Sequence, residues 1–146
     1  MSVQEGHFRR LENMYHSAPV NESIPCAISI ESGKATVKMQ VTKAFWHSGG
    51  AMHGSMYFKG LDDAAFFAAN SEVDDALVVT ARFEVELLAM VTCTVLKAVG
   101  FLERREGRKL WARSELYDEA GMLVARGNGL FIVSSIELES ATGYTD

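Results

Sequence analysis

Hydrophobic residues recur along this chain with two different periods, which separate helical segments from strands. Apolar positions three or four residues apart predict a short amphipathic helix over residues 4–16. Two strand-like segments follow, over residues 26–31 and 35–41, joined by a turn at Gly33. The second of them alternates apolar and polar residues, so we expect a hairpin with one buried and one hydrated face.

The middle of the chain is apolar on nearly every side and predicts a long helix over residues 55–70. The segments after it have strand character; they cover residues 77–88, 92–104, 109–117 and 122–133. An antiparallel sheet that curls around the apolar helix would bury it most economically. We therefore predict an α+β fold in a single domain over residues 1–146, with the N-terminal helix within residues 1–20 and a loose tail over residues 135–146.

Composition and charge narrow the class of protein. With 146 residues, of which 48% are hydrophobic, the chain suits one ordinary globular core. Its formal net charge of −5 argues against nucleic acid as a partner. No apolar run is long enough to span a bilayer, and the polar N-terminus lacks a signal-peptide core, so we expect a cytoplasmic protein without a membrane partner. The cysteines and histidines lack metal-ligand spacing, and no metal is expected.

A glycine-rich loop runs directly into the central helix. Residues 45–55 contain Gly49, Gly50 and Gly54, and Gly54 stands where the helix is predicted to begin. The first N–H groups of a helix have no partner within the helix, and they can bind an anion or a developing oxyanion. This junction therefore predicts part of an active site.

Two adjacent acids, Asp62 and Asp63, lie within the apolar helix. Asp63 is four residues after Lys59, and this spacing predicts an ion pair at a hydrated edge of the helix. Asp62 instead lies between Phe58 and Phe66, each four residues away. A carboxylate in such surroundings has a raised pKa, which suits a general base or nucleophile near neutral pH. The alternative for Asp62 is a structural acid satisfied by a hydrogen bond from elsewhere in the fold.

The spacing of these two features predicts an oligomer. Gly54 and Asp62 are eight residues apart, or about 12 Å along a helix. An oxyanion donor and a catalytic carboxylate must both lie within about 3–4 Å of the reacting centre. If both residues act, Gly54 must come from one subunit and Asp62 from another.

The spacing of His53-Gly54, Asp62 and Asn70-Ser71, with the later Asp118-to-Ala125 turn, resembles that of the hotdog-fold acyl-CoA thioesterases, especially the phenylacetic-acid-degradation type. The resemblance covers roughly residues 34–134 and implies a hotdog fold that assembles as a dimer or a dimer of dimers. It implies a small-molecule acyl-CoA substrate, with coenzyme A as part of the substrate and no separate cofactor.

The resemblance also implies roles for individual residues. Gly54 would offer its N–H to the thioester carbonyl, and Asp62 of another subunit would activate water or attack directly. Thr80, eighteen residues after Asp62, matches a hydroxyl residue that helps to hold the water. His47 stands where the family usually has an orienting Asn, which is a departure. His53 is a further candidate, although shaping the turn is the role favoured for it over that of a base.

A basic turn lies between the last strands. Arg104, Arg105, Arg108 and Lys109 flank Glu106-Gly107 in an otherwise acidic chain. We interpret Arg104, Arg105 and Arg108 as candidate contacts for coenzyme A phosphates, and the alternative is a solvated hairpin tip. His7 and His16, on the N-terminal helix, are expected at the surface.

The sequence therefore predicts an enzyme that hydrolyses acyl-CoA. Two alternatives remain open. One is a hotdog hydratase or dehydratase acting on 3-hydroxyacyl thioesters, because His47 would supply a second titrating group. The other is a module that binds acyl-CoA without turnover.

Overall fold

The computed structural model describes residues 1–146 and contains two helices and six strands, with three short 3₁₀ turns. The elements in chain order are α1 (Val3–Ser17), β1 (Cys26–Glu31), β2 (Lys34–Gln40), α2 (Gly54–Asn70), β3 (Ala76–Leu87), β4 (Val95–Glu106), β5 (Lys109–Tyr117) and β6 (Leu123–Glu137). Every predicted element is present. Neither helix is long and apolar enough to cross a membrane.

The six strands form one antiparallel sheet in the order β1-β2-β4-β5-β6-β3. The sheet wraps around α2, whose residues Leu61, Ala64 and Ala68 are fully buried. Close approach requires a glycine, because a Cβ at Gly100 of β4 would overlap the backbone of Ala64. The predicted α+β hotdog fold is confirmed.

The alternation of apolar and polar residues predicted in β2 is also present in the structure. The side chains of Ala35, Val37 and Met39 are buried, and the side chain of Lys38 between them is exposed. The apolar face of β2 packs against α2, since burial of these side chains supplies the main favourable free energy of folding.

The two edges of the sheet differ. Helix α1 covers β1: Arg9 donates to the carbonyl of Ile30 at 2.7 Å, and Glu12 accepts from the Ile30 N–H at 2.8 Å. The other edge strand, β3, is twelve residues long and has no element of the chain on its outer side. A long open edge is suited to pairing with another chain.

The C-terminal residues are packed, and the expectation of a loose tail over residues 135–146 is wrong. Strand β6 continues to Glu137, Leu138 is fully buried, and Tyr144 is 9% exposed. The Tyr144 hydroxyl lies 2.7 Å from Nδ1 of His7, whose Nε2 lies 2.9 Å from the carbonyl oxygen of Asn70. His7 is therefore buried rather than at the surface, because the C-terminal segment folds over α1.

Candidate active site

The glycine-rich loop ends in a defined helix start. Nδ1 of His53 accepts a hydrogen bond from the Ser55 N–H at 3.1 Å, so His53 is the N-cap of α2. The Met56 N–H is bonded to the carbonyl of His53. The N–H of Gly54, the first helical residue, has no acceptor within the chain. The first turn of α2 thus presents the Gly54 N–H as a free backbone donor.

His47 lies beside this donor. It shares a cavity of about 390 Å³ with Gly54, Tyr57 and Leu87. Its Nδ1 accepts a hydrogen bond from the Gly49 N–H at 2.9 Å, which leaves Nε2 of the neutral ring as a donor. The structure therefore brings Gly54, His47 and the capping ring of His53 together at one end of α2.

Asp62 lies in the middle of α2, and β3 supplies its partner. The Thr80 hydroxyl donates to Oδ1 of Asp62 at 2.9 Å. Burial raises the pKa of Asp62 to about 6; the Thr80 hydrogen bond partly opposes this shift, and the charge of Asp63 adds to it. A carboxyl with this pKa is largely ionised at neutral pH and remains basic enough to take a proton.

Within one chain Asp62 does not meet Gly54. Asp62 lines a different cavity, of about 300 Å³, between α2 and the end of α1, where neither Gly54 nor His47 is present. The helical rise separates the two residues by about 12 Å. One copy of the chain therefore keeps Gly54 and Asp62 apart, at two separate cavities.

The surroundings of Asp63 differ in one respect from those predicted. The predicted pair with Lys59 is present, at 2.5 Å, but Asp63 does not lie at a hydrated edge, because its side chain is only 14% exposed. The Tyr15 hydroxyl also donates to Asp63, at 2.7 Å, and Asn21 accepts from Lys59 at 2.7 Å. Burial raises the pKa of Asp63, and Lys59 and Tyr15 oppose this shift. Sequence reasoning missed Tyr15 and Asn21 because no local pattern links them to α2.

The basic turn is divided between two faces of the sheet. The Arg104 guanidinium stacks 3.8 Å from the centre of the Trp111 ring and pairs with Glu106. Arg105 reaches the carbonyl of Glu72 beyond the end of α2, at 3.0 Å. Arg108 donates to the carbonyl of Val133. Each guanidinium group already has partners within the chain, so the structure lends no support to coenzyme A contacts there, and these remain a prediction.

The fold and site define a class of protein. The model of the thioesterase superfamily matches residues 49–125, more than half of the chain. The matched region begins in the glycine-rich loop and includes Gly54, Asp62 and Thr80. The chain belongs to the thioesterase superfamily. A search of curated proteins found no match.

Solved structures with the same fold include proteins of the predicted type. The PaaI protein of the Escherichia coli phenylacetic acid degradation operon is 20% identical, with a TM-score of 0.84 over 93% of this chain and 99% of that one. A phenylacetic acid degradation-related putative thioesterase of Ralstonia eutropha is 24% identical, with a TM-score of 0.76 over 87% and 99%. A thioesterase family protein of Silicibacter pomeroyi is 18% identical, with a TM-score of 0.81 over 88% and 99%.

Proposed function

We propose that this protein hydrolyses an acyl-CoA thioester to the free acid and coenzyme A. One observation carries the proposal: a half-buried carboxylate, Asp62, is held by Thr80, and a free N–H stands at the start of the same helix, at Gly54. Thioester hydrolysis needs both functions, a base or nucleophile and a donor to the developing oxyanion.

In the proposed reaction the Gly54 N–H binds the thioester carbonyl oxygen. Asp62 of the partner subunit takes a proton from water as the water attacks the carbonyl carbon; the carbon–sulfur bond then breaks, and the thiolate of coenzyme A takes this proton and leaves as the thiol. Alternatively, Asp62 attacks the carbonyl carbon itself, the carbon–sulfur bond breaks, and the thiolate leaves with a proton from solvent. Water then hydrolyses the resulting mixed anhydride and releases the free acid. His47 lies beside Gly54 and can donate through Nε2 to the same oxygen or to the leaving sulfur.

A dimer, or a dimer of dimers, would unite the two separate cavities. Strand β3 carries Thr80 and has an open edge, and exposed apolar side chains lie nearby: Phe58 is 41% exposed, Val79 40% and Leu87 52%. Pairing of two β3 edges would cover unpaired backbone groups together with this apolar surface. The same pairing would bring α2 of each chain toward its partner.

A panel of acyl-CoA thioesters tests the proposal, with release of the free thiol as the readout. The panel includes straight-chain and aromatic acyl groups, because the cavity beside Asp62 has a mostly apolar lining that suits either kind. Hydration of an enoyl-CoA is measured in parallel. Hydration without thiol release would identify a hydratase, and tight binding without either reaction would identify a non-catalytic module.

The pH dependence of kcat/KM should report the ionisation of Asp62. Activity should rise with pH through about 6 and then level off, because only the ionised carboxylate acts as base. The Thr80 hydrogen bond favours the ionised form, so Thr80→Val should move this rise to higher pH by about 0.5–1 unit. Thr80→Ser keeps the hydroxyl and should leave the midpoint in place. An unchanged midpoint in Thr80→Val would mean that the titrating group is not Asp62.

A separate experiment tests whether the basic turn binds coenzyme A. If Arg104 and Arg108 hold coenzyme A phosphates, replacing both by Gln should raise KM for acyl-CoA and leave kcat nearly unchanged. A short thioester without the nucleotide should not respond. An equal effect on both substrates, or none, would make the turn a solvated hairpin tip.

A further inference from the structure

The C-terminal segment, residues 138–146, contributes to the wall of the cavity beside Asp62. It follows directly on β6 and begins with a 3₁₀ turn, Leu138–Ser140. Ala141 and Thr142, just after this turn, line the cavity together with residues of α1, α2 and β3. Neither residue takes part in the proposed hydrolysis. The two residues therefore contribute to the shape of the cavity and not to its chemistry.

The segment bridges the start of β3 and the end of α1. The Leu138 N–H donates to the carbonyl of Asp75, the residue before β3, at 3.1 Å. At the other end of the bridge Gly143 has φ +84°, and a Cβ there would overlap Ser17, the last residue of α1. The two lining residues lie between these attachments, so the segment closes the gap between β3 and α1 on one side of the cavity.

This side of the cavity lies away from the reacting carboxylate. Thr80 bonds Asp62, and Leu77, which also lines the cavity, is three residues before Thr80 on β3. Three residues of a strand span about 10 Å. The start of β3, where the C-terminal segment is attached, is therefore about this far from the carboxylate. An acyl chain with its thioester at Asp62 would extend its far end toward the segment.

A hydrogen-bond latch, formed by Tyr144 and His7, holds the segment on α1. Nε2 of His7 must donate to the Asn70 carbonyl, at 2.9 Å, so Nδ1 of the neutral ring accepts from the Tyr144 hydroxyl, at 2.7 Å. Both side chains are buried, and the Arg10 guanidinium lies over the Tyr144 ring, 5.4 Å from its centre. The latch is only two residues after Thr142, so the position of the cavity wall depends on it.

We propose that the C-terminal segment sets the longest acyl group that the protein accepts, with Ala141 as the end wall and the Tyr144–His7 bond as the latch; this inference rests on the proposed function. A group that ends before the wall is buried in the apolar cavity. A longer group must displace the segment and break a buried hydrogen bond. One methylene too many in an apolar pocket lowers kcat/KM by about ten-fold or more, so the length limit should be sharp.

Two series of acyl-CoA thioesters test this limit. One series has even-numbered straight chains from butanoyl to hexadecanoyl, and the other carries a phenyl group at the end of each chain. The limit is the longest chain before kcat/KM falls by about ten-fold or more on further extension. The parent protein should show such a limit in each series that it hydrolyses.

Added volume at the wall should shorten the accepted chain. Ala141→Leu should move the limit by about two carbons or more toward shorter chains, and it should change kcat/KM for the shortest substrate by less than about two-fold. Ala120→Leu makes the same change at an exposed turn and should leave the limit in place. Circular dichroism and the unfolding temperature show which variants are folded.

Loss of the latch should have the opposite effect. Tyr144→Phe keeps the ring beneath Arg10 and removes only the hydroxyl. The first chain beyond the parent limit should then be hydrolysed with a kcat/KM about three-fold higher or more, because it no longer has to break the hydrogen bond. Tyr117→Phe removes a hydroxyl that bonds Glu115 and is the matched control. A purely structural latch would lower kcat/KM for every chain length alike.

The outcomes distinguish this inference from the proposed function. A parent without a length limit, or an unchanged limit in Ala141→Leu, would overturn the inference and leave thioester hydrolysis standing. A folded Tyr144→Phe variant that affects all chain lengths alike would also overturn it. If no thioester is hydrolysed, the proposed function fails, and calorimetric titration of the parent and Ala141→Leu with the same series decides the inference. A limit in affinity that becomes shorter in Ala141→Leu then supports it, and an unchanged limit or none overturns it.

Discussion

Replacing Asp62 by Asn should lower kcat for acyl-CoA hydrolysis by about 10²-fold or more, the order expected when a general base is lost. The side chain keeps its size, and the amide oxygen can still accept from Thr80, so the fold should survive. Asp74→Asn, at an exposed acid in the turn after α2, is the matched control and should be silent. An equal loss of kcat in the two variants would show that Asp62 does not take part in the reaction.

The same change should stabilise the protein in a pH-dependent way. Burial raises the pKa of Asp62 in the folded state, so the folded protein binds its proton more tightly than the unfolded chain, and ionisation lowers the free energy of unfolding as pH rises toward 6. Asp62→Asn should therefore raise this free energy by about 1–2 kcal/mol near pH 8 and leave it nearly unchanged near pH 4. Thermal unfolding at the two pH values measures this difference.

The second large effect is expected at Gly54. Proline is well accepted at the first position of a helix, and His53 before it has φ −63° and ψ 143°, which suit a residue that precedes proline. Gly54→Pro should therefore keep α2 and remove only the N–H. Loss of one oxyanion donor lowers kcat by about 10²–10³-fold.

Gly54→Ala is the control for added volume. Its Cβ would lie 3.4 Å from Cδ1 of Leu87, at the edge of an ordinary contact, and the N–H would remain. This variant should keep most of the activity. If Gly54→Ala and Gly54→Pro lower kcat equally, then the loss comes from the added side-chain volume and not from the missing N–H.

The sequence predicted the fold well where its patterns are local. Alternation in β2 and the apolar length of α2 identified these elements, because periodicity records which faces are buried. The order of elements predicted a sheet curled around α2, and the resemblance to the hotdog-fold thioesterases implied the hotdog arrangement.

Features that depend on contacts between distant residues could not be predicted. The Tyr15–Asp63 bond spans 48 residues and the His7–Tyr144 bond spans 137. No periodic pattern records such contacts, so the burial of Asp63 and the packed C-terminus became visible only in the folded chain. The basic residues form one cluster in the sequence, but in the structure Arg104 and Arg105 point to opposite faces, because β4 continues to Glu106 and its side chains alternate.

The central claim is that Asp62 of one subunit and Gly54 of another form one site, and subunit mixing tests it most directly. Asp62→Asn chains and Gly54→Pro chains should each be nearly inactive, but a hybrid dimer contains one site with both residues intact. Random exchange in equal amounts should restore about a quarter of the parent activity, because half of the dimers are hybrids with one working site of two. Mixing Asp62→Asn chains with chains that carry both changes should restore nothing. Activity no greater than that of the separate variants, after exchange is verified, would contradict the shared site.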